Sequence, residues 1–164
     1  MKKSGSMLAL LGFGATVAGA AWFASRTSPK DPKIRAWYRG LNKPAYDPPE
    51  PVFPVVWSAL YTLIAISGWR VWRSEPSPAR SNALALWVAQ LASNAEWTRL
   101  FFGDQRPQRA LADVALLESL ILSYIAVARK VDPPAAVCFI PYAAWVAFAT
   151  LLNAEIVRLN PETS

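Results

Sequence analysis

Histidine is absent from the 164 residues, and cysteine occurs once, as Cys138. Without imidazole there is no Ser-His or Cys-His triad, no imidazole zinc site and no His-ligated haem. One thiol excludes an internal disulfide framework and a Cys-rich metal site. No metal site and no resident cofactor is expected, and no Gly-rich phosphate loop is present. Charge is sparse, at 17% of residues against about a quarter in an average soluble domain. The chain is rich instead in apolar and aromatic residues: 54% are hydrophobic, eight are Trp, and the mean hydropathy is +0.21. That composition excludes a disordered chain, and the length allows one domain.

A net charge of +6 suggests nucleic acid until the charges are located. They lie between long apolar runs, where Lys and Arg flank membrane spans. A nucleic-acid face would gather them on one folded surface. The expected partner is therefore the lipid bilayer and not nucleic acid. A membrane helix needs about 20 mostly apolar residues, and five runs qualify: approximately 7–25, 52–70, 83–102, 110–128 and 133–156. The expected fold class is all-α, an integral membrane bundle of five transmembrane helices forming a single domain over 1–164. The first run has a rival reading, because Lys2, Lys3 and Ala18-Gly19-Ala20 together resemble a cleavable signal peptide. Its apolar stretch is longer than a typical signal core, so retention as a helix is expected.

Three connectors are short, as between antiparallel neighbours. The first, 26–51, is long. It carries Arg26, Lys30, Lys33, Arg35, Arg39 and Lys43, then Pro44, Pro48, Pro49 and Pro51. Trp37, Tyr38 and Tyr46 argue against disorder, and the prolines restrict the backbone. Two readings are open: a folded lid, or an interfacial loop with its aromatics at headgroup level. The side holding this loop and the C-terminus collects ten Lys and Arg against seven on the other. The positive-inside rule thus places both in the cytoplasm.

Polar side chains at membrane depth need partners within the protein. Trp87, Gln90, Asn94, Trp97 and Phe101 recur every three or four residues and share one helical face. That face looks inward, toward either a cavity or interhelical hydrogen bonds. Trp57 and Tyr61 share a face of the second run, and Trp145, Ala149 and Asn153 share one of the fifth. Such stripes fit plain packing, and they also fit the walls of a pocket for a flat apolar ligand. Glu96 and Arg99, three apart, suit a pair near a helix end. Asp113 and Glu118 lie deeper. Their five-residue spacing puts them on different faces, which excludes a general acid–base pair. Asp113 is placed to cap polar groups near the third connector.

The stretch from Trp37-Tyr38 through Leu41-Asn42-Lys43-Pro44, Pro48-Pro49 and Val52-Phe53-Pro54 to Trp57 and Leu60-Tyr61 closely resembles the tryptophan-rich sensory protein family. That family includes the peripheral-type benzodiazepine receptors, or translocator proteins. Gln90-Leu91-Ala92 with Asn94, Trp97 and Phe101-Phe102-Gly103 resembles its third span. Ala110-Leu111 with Asp113 resembles the start of its fourth. Pro141-Tyr142, Trp145, Ala147-Phe148-Ala149-Thr150 and Leu152-Asn153 resemble its fifth. The match covers roughly 37–155 with the right spacing throughout.

The resemblance implies a homodimeric five-helix bundle in a bacterial membrane, ahead of the mitochondrial outer membrane, with a cavity beneath the first loop. It also implies a receptor or carrier of tetrapyrroles such as protoporphyrin IX or haem, with sterols and benzodiazepine-type drugs as further ligands. By motif position the binding residues would be Trp37, Tyr38, Asn42, Lys43, Pro44, Trp57, Tyr61, Asn94, Trp97, Trp145, Ala149 and Asn153. A flat macrocycle would stack on Trp57 and Trp145, and its propionates would meet Lys43 and Arg39. The absence of His favours metal-free porphyrin. The alternatives are a porphyrin transporter and a light- or oxygen-dependent porphyrin-degrading enzyme with Trp57 or Trp145 as electron donor. No acid–base constellation supports the enzyme. Tyr46 stands where relatives commonly have Trp, and Glu96 is unusual beside the pocket helix. Leu151 to Arg158 lacks the Tyr that a C-terminal sterol motif requires.

Overall fold

Helix starts are written locally in this chain. Asp31, Ser77 and Asp132 each accept a hydrogen bond from a backbone N–H of the first turn they precede, and each is followed by Pro at the first helical position. The carboxylate or hydroxyl satisfies an orphan donor, and Pro loses nothing where no helical bond is due. A computed structural model describes residues 3–163, with side chains from 6 to 162. Lys2 and the Lys3 side chain, part of the signal-peptide reading, lie outside the described residues.

The helices are α1 (Lys3–Ser25), α2 (Pro32–Gly40), α3 (Val52–Trp72), α4 (Pro78–Thr98), α5 (Pro107–Ala128) and α6 (Pro133–Leu159). A π-helical turn, Arg99–Gly103, follows α4, and a short 3₁₀ turn, Pro161–Thr163, follows α6. No strand occurs among the described residues. The first connector contains α2, whose Tyr38 is buried. Four helices, α1, α3, α5 and α6, are long and apolar enough to cross a membrane. Helix α4 has 21 residues but falls short in hydropathy, since it carries Arg80, Gln90, Asn94 and Glu96. It begins five residues before the expected 83 because Ser77 caps it. It ends before 102 because the backbone turns π at Arg99.

Around the bundle the order is α1–α3–α6–α5–α4, with α4 closing back on α1. At the end opposite α2 the packing is tight. Tyr124 and Phe139 rings lie 4.1 Å apart and both are fully buried. Ser67 donates to the Ala135 carbonyl at 2.7 Å, so the Tyr124 hydroxyl, also at 2.7 Å, is the donor to Ser67. A Cβ at Gly68 would sit 2.6 Å from the Trp87 ring and 2.7 Å from Phe13, so only glycine lets α1, α3 and α4 meet there. Arg70 binds Asp132 through two hydrogen bonds, joining the end of α3 to the start of α6.

Candidate functional site

At the other end the helices part around a cavity of about 450 Å³, a size typical of small-molecule sites. Trp57 and Tyr61 on α3 and Trp145, Ala149 and Asn153 on α6, each set on one helical face, line it as two walls. Trp97 and Phe101 form a third, and Tyr38 closes the top. The π turn matters here. An extra residue in the turn brings Phe102 to the cavity beside Phe101, with ring centroids 4.8 Å apart. Such turns recur at functional sites.

The α4 stripe divides along its length. Trp87 donates to the Ile64 carbonyl at 2.9 Å, and Gln90 donates to its own helix, so this half is packing. Trp97 faces the cavity while its N–H binds Asn153 at 3.2 Å. Asn94 lies between the halves. It accepts from Tyr61 and donates to Tyr142, each at 3.2 Å, and stands behind the Tyr61 wall. The indole N–H groups of Trp69, Trp87 and Trp97 are thus all held. Those of Trp57 and Trp145 make no hydrogen bond among the described residues, although both rings line the cavity.

Several expected binding residues are employed elsewhere. Trp37 packs edge-on against Phe101 at 5.9 Å. The Asn42 backbone N–H donates to Asn160 Oδ1 and its carbonyl accepts from Asn160 Nδ2, both at 2.9 Å, which clasps the loop to the end of α6. Pro44 supplies the carbonyl of a tight turn to Asp47. Lys43 pairs with Asp47 at 3.2 Å and lies 4.2 Å over the Tyr38 ring. Arg39 pairs with Glu50 at 2.8 Å. The two cations expected to meet propionates are therefore already neutralised. The basic residues that do line the cavity are Lys30 and Arg35, which make no ion pair among the described residues. Arg35 spends only its Nε, on the Pro29 carbonyl at 3.0 Å. No spacing rule singles them out, since what distinguishes them is which neighbours took the acids.

Burial, and then the Asp47 carboxylate, pushes the Tyr38 phenol well above its usual range. It stays a neutral donor to Asp47 Oδ1 at 3.1 Å. The Arg39 guanidinium, chiefly by its hydrogen bond, holds the Glu50 carboxyl below the usual carboxylate range. Glu96 and Arg99 pair through two hydrogen bonds, and Arg99 reaches on to Asp104 at 2.8 Å. Asp113 accepts from Ser93 of α4 at 3.4 Å and caps no connector group among the described residues.

Long apolar helices ringed about an aromatic cavity define a multi-pass helical membrane protein. The comparison with known proteins narrows the class. Residues 12–159 match the TspO/MBR family, and the chain belongs to it. It is 42% identical to the tryptophan-rich sensory protein of Cereibacter sphaeroides over 124 residues, which is 76% of this chain and 77% of that one. It is 38% identical to protein CrtK of Rhodobacter capsulatus over 127 residues, 77% and 79% of the two chains. It is also 35% identical to the human translocator protein over 126 residues, 76% and 75% of the two chains.

Proposed function

We propose that this protein is a membrane receptor or carrier that holds a planar tetrapyrrole, protoporphyrin IX, in the cavity under α2. The observation that carries this reading is the pair of unanchored indoles, Trp57 and Trp145, lining one aromatic cavity that has free cations, Lys30 and Arg35, among its lining. Flat apolar rings stack well on indole faces, and carboxylates favour guanidinium and ammonium groups. In this reading α4 is the fifth span. Its polar Gln90, Ser93 and Asn94 are buried inside the bundle, while Val88 is exposed on its outer face.

The test is titration of the detergent-purified protein with protoporphyrin IX in the dark, followed by tryptophan quenching. Saturable quenching is expected, weakened about threefold to tenfold by Trp57→Phe or Trp145→Phe, the range of one aromatic contact. Absence of saturation would sink the proposal. Illuminating the same samples separates binding from turnover, because porphyrin loss that vanishes in the double Phe variant would mean degradation. The Lys30→Gln/Arg35→Gln variant should bind the porphyrin diacid about threefold to tenfold more weakly, as expected for exposed ion pairs. Its affinity for the dimethyl ester should be unchanged.

A further inference from the structure

Outside the cavity, α3 and α6 leave an open groove of about 570 Å³. Val55, Ala59 and Leu63 line it on α3, and Pro141, Ala144 and Trp145 line it on α6. Apart from the Trp145 indole nitrogen, every side chain in it is hydrocarbon. Both helices are apolar enough to cross a membrane, and Val55 is 71% exposed, so the groove opens toward lipid and not toward water.

Trp145 lines the groove and the cavity alike. It is the residue that the two linings share. That indole packs against the edge of the core, edge-on to Phe53 at 5.9 Å and tilted on Phe148 at 5.6 Å. No hydrogen bond fixes its N–H among the described residues. On the groove side its neighbours Ala59 and Ala144 are small and exposed. One turn earlier, Pro141 has no N–H to give the Val137 carbonyl, which removes a helical bond beside the same spot.

We propose that this groove is a lateral portal through which an apolar, lipid-dissolved ligand passes between bilayer and cavity, with Trp145 as the door. The inference rests on the reading of the cavity as a ligand site. The path under α2 is obstructed by the Asn42–Asn160 clasp and the ion pairs of Lys43 and Arg39. The groove path needs one side chain, held by packing and by no hydrogen bond among the described residues, to turn. A molecule that partitions into hydrocarbon is already concentrated where the groove opens.

A portal lies on the route and not at the destination. Filling it leaves the bound ligand's contacts intact, so affinity stays fixed while both rates fall together. The experiment is stopped-flow tryptophan quenching of protein reconstituted in phosphatidylcholine vesicles preloaded with protoporphyrin IX. Ala59→Phe and Ala144→Phe enlarge groove residues that do not line the cavity. Association and dissociation should each slow by about tenfold, as when binding must await a conformational step, with Kd unchanged within about twofold. The Asn160→Ala variant, which opens the clasp, should leave both rates near wild type. Unaltered rates in the filled variants, with acceleration in Asn160→Ala, would overturn the portal and place the route under α2. Unaltered rates accompanied by a change in oligomeric state would overturn it in favour of a contact between copies of this chain. If the wild type shows no saturable quenching, the cavity reading fails first and takes the portal with it.

Discussion

At one end of the bundle a single added carbon at Gly68 would collide with Trp87 and Phe13. At the other, Trp57 and Trp145 border about 450 Å³ of open space. Both ends are built from Trp, Tyr and Phe on the same helices, so residue type does not separate core from site. Two local features do. In the closed end rings pack on rings and against Gly68, Tyr124 on Phe139 and Phe13 edge-on to Trp87, and their polar atoms are met by the Ile64 carbonyl for the Trp87 N–H and Ser67 for the Tyr124 hydroxyl. In the open end the rings border empty space, and the indole N–H groups of Trp57 and Trp145 on its wall make no hydrogen bond among the described residues. A well-packed core leaves few polar groups unspent and few voids. A site leaves both.

The sharpest break of this contrast is a pair of truncations. Phe139→Ala removes a fully buried ring between Tyr124 and Tyr142, and should cost about 3–5 kcal/mol, as large-to-small core changes do. Trp57→Ala removes a comparable ring from the cavity wall, where space already exists, and should cost less than half as much. Chemical denaturation in matched detergent measures both. Equal losses would erase the distinction between the ends.

Asn94 stands at the boundary, and Asn94→Leu removes its bonds to Tyr61 and Tyr142 together. Stability should fall by about 1–3 kcal/mol, the cost of stranding buried polar groups. Ligand affinity should fall as well, because Tyr61 loses the bond that sets its place in the wall. A loss of stability with unchanged affinity would move Asn94 wholly into the core.

The smallest effect belongs to the cavity's cover. Because Glu50 titrates below its ordinary value in the folded chain, its pairing with Arg39 favours the closed cover above about pH 4.3. That contribution is lost as pH falls through the depressed value. Amide-exchange protection factors at Leu41 should stay flat from about pH 7 to 5 and decline only below about 4. Glu50→Gln should remove the step, and so should high salt, since the pair is exposed.

Much of this was legible in the residues. The apolar runs mark α1, α3, α5 and α6 because hydrocarbon tolerates little else over that length. Face sharing grouped Trp57 with Tyr61, and Trp145 with Ala149 and Asn153, but spacing alone fits packing as well as a pocket wall. The π turn at Arg99 was not readable, because an extra residue in a turn leaves no periodic signature over so short a stretch. The roles of Asn42 and Arg39 were not readable either. Their partners, Asn160 and Glu50, are chosen by how the chain folds back, and so are the cations left over for the cavity.

The clasp between Asn42 and Asn160 joins residues 118 apart in the sequence. Contacts so distant in sequence close late, because the intervening loop must be ordered first. During synthesis the first five helices, α1 to α5, are complete before residue 160 leaves the ribosome. The cover over the cavity is therefore fastened only after all six helices have been made, and until then the nascent bundle is an open cup.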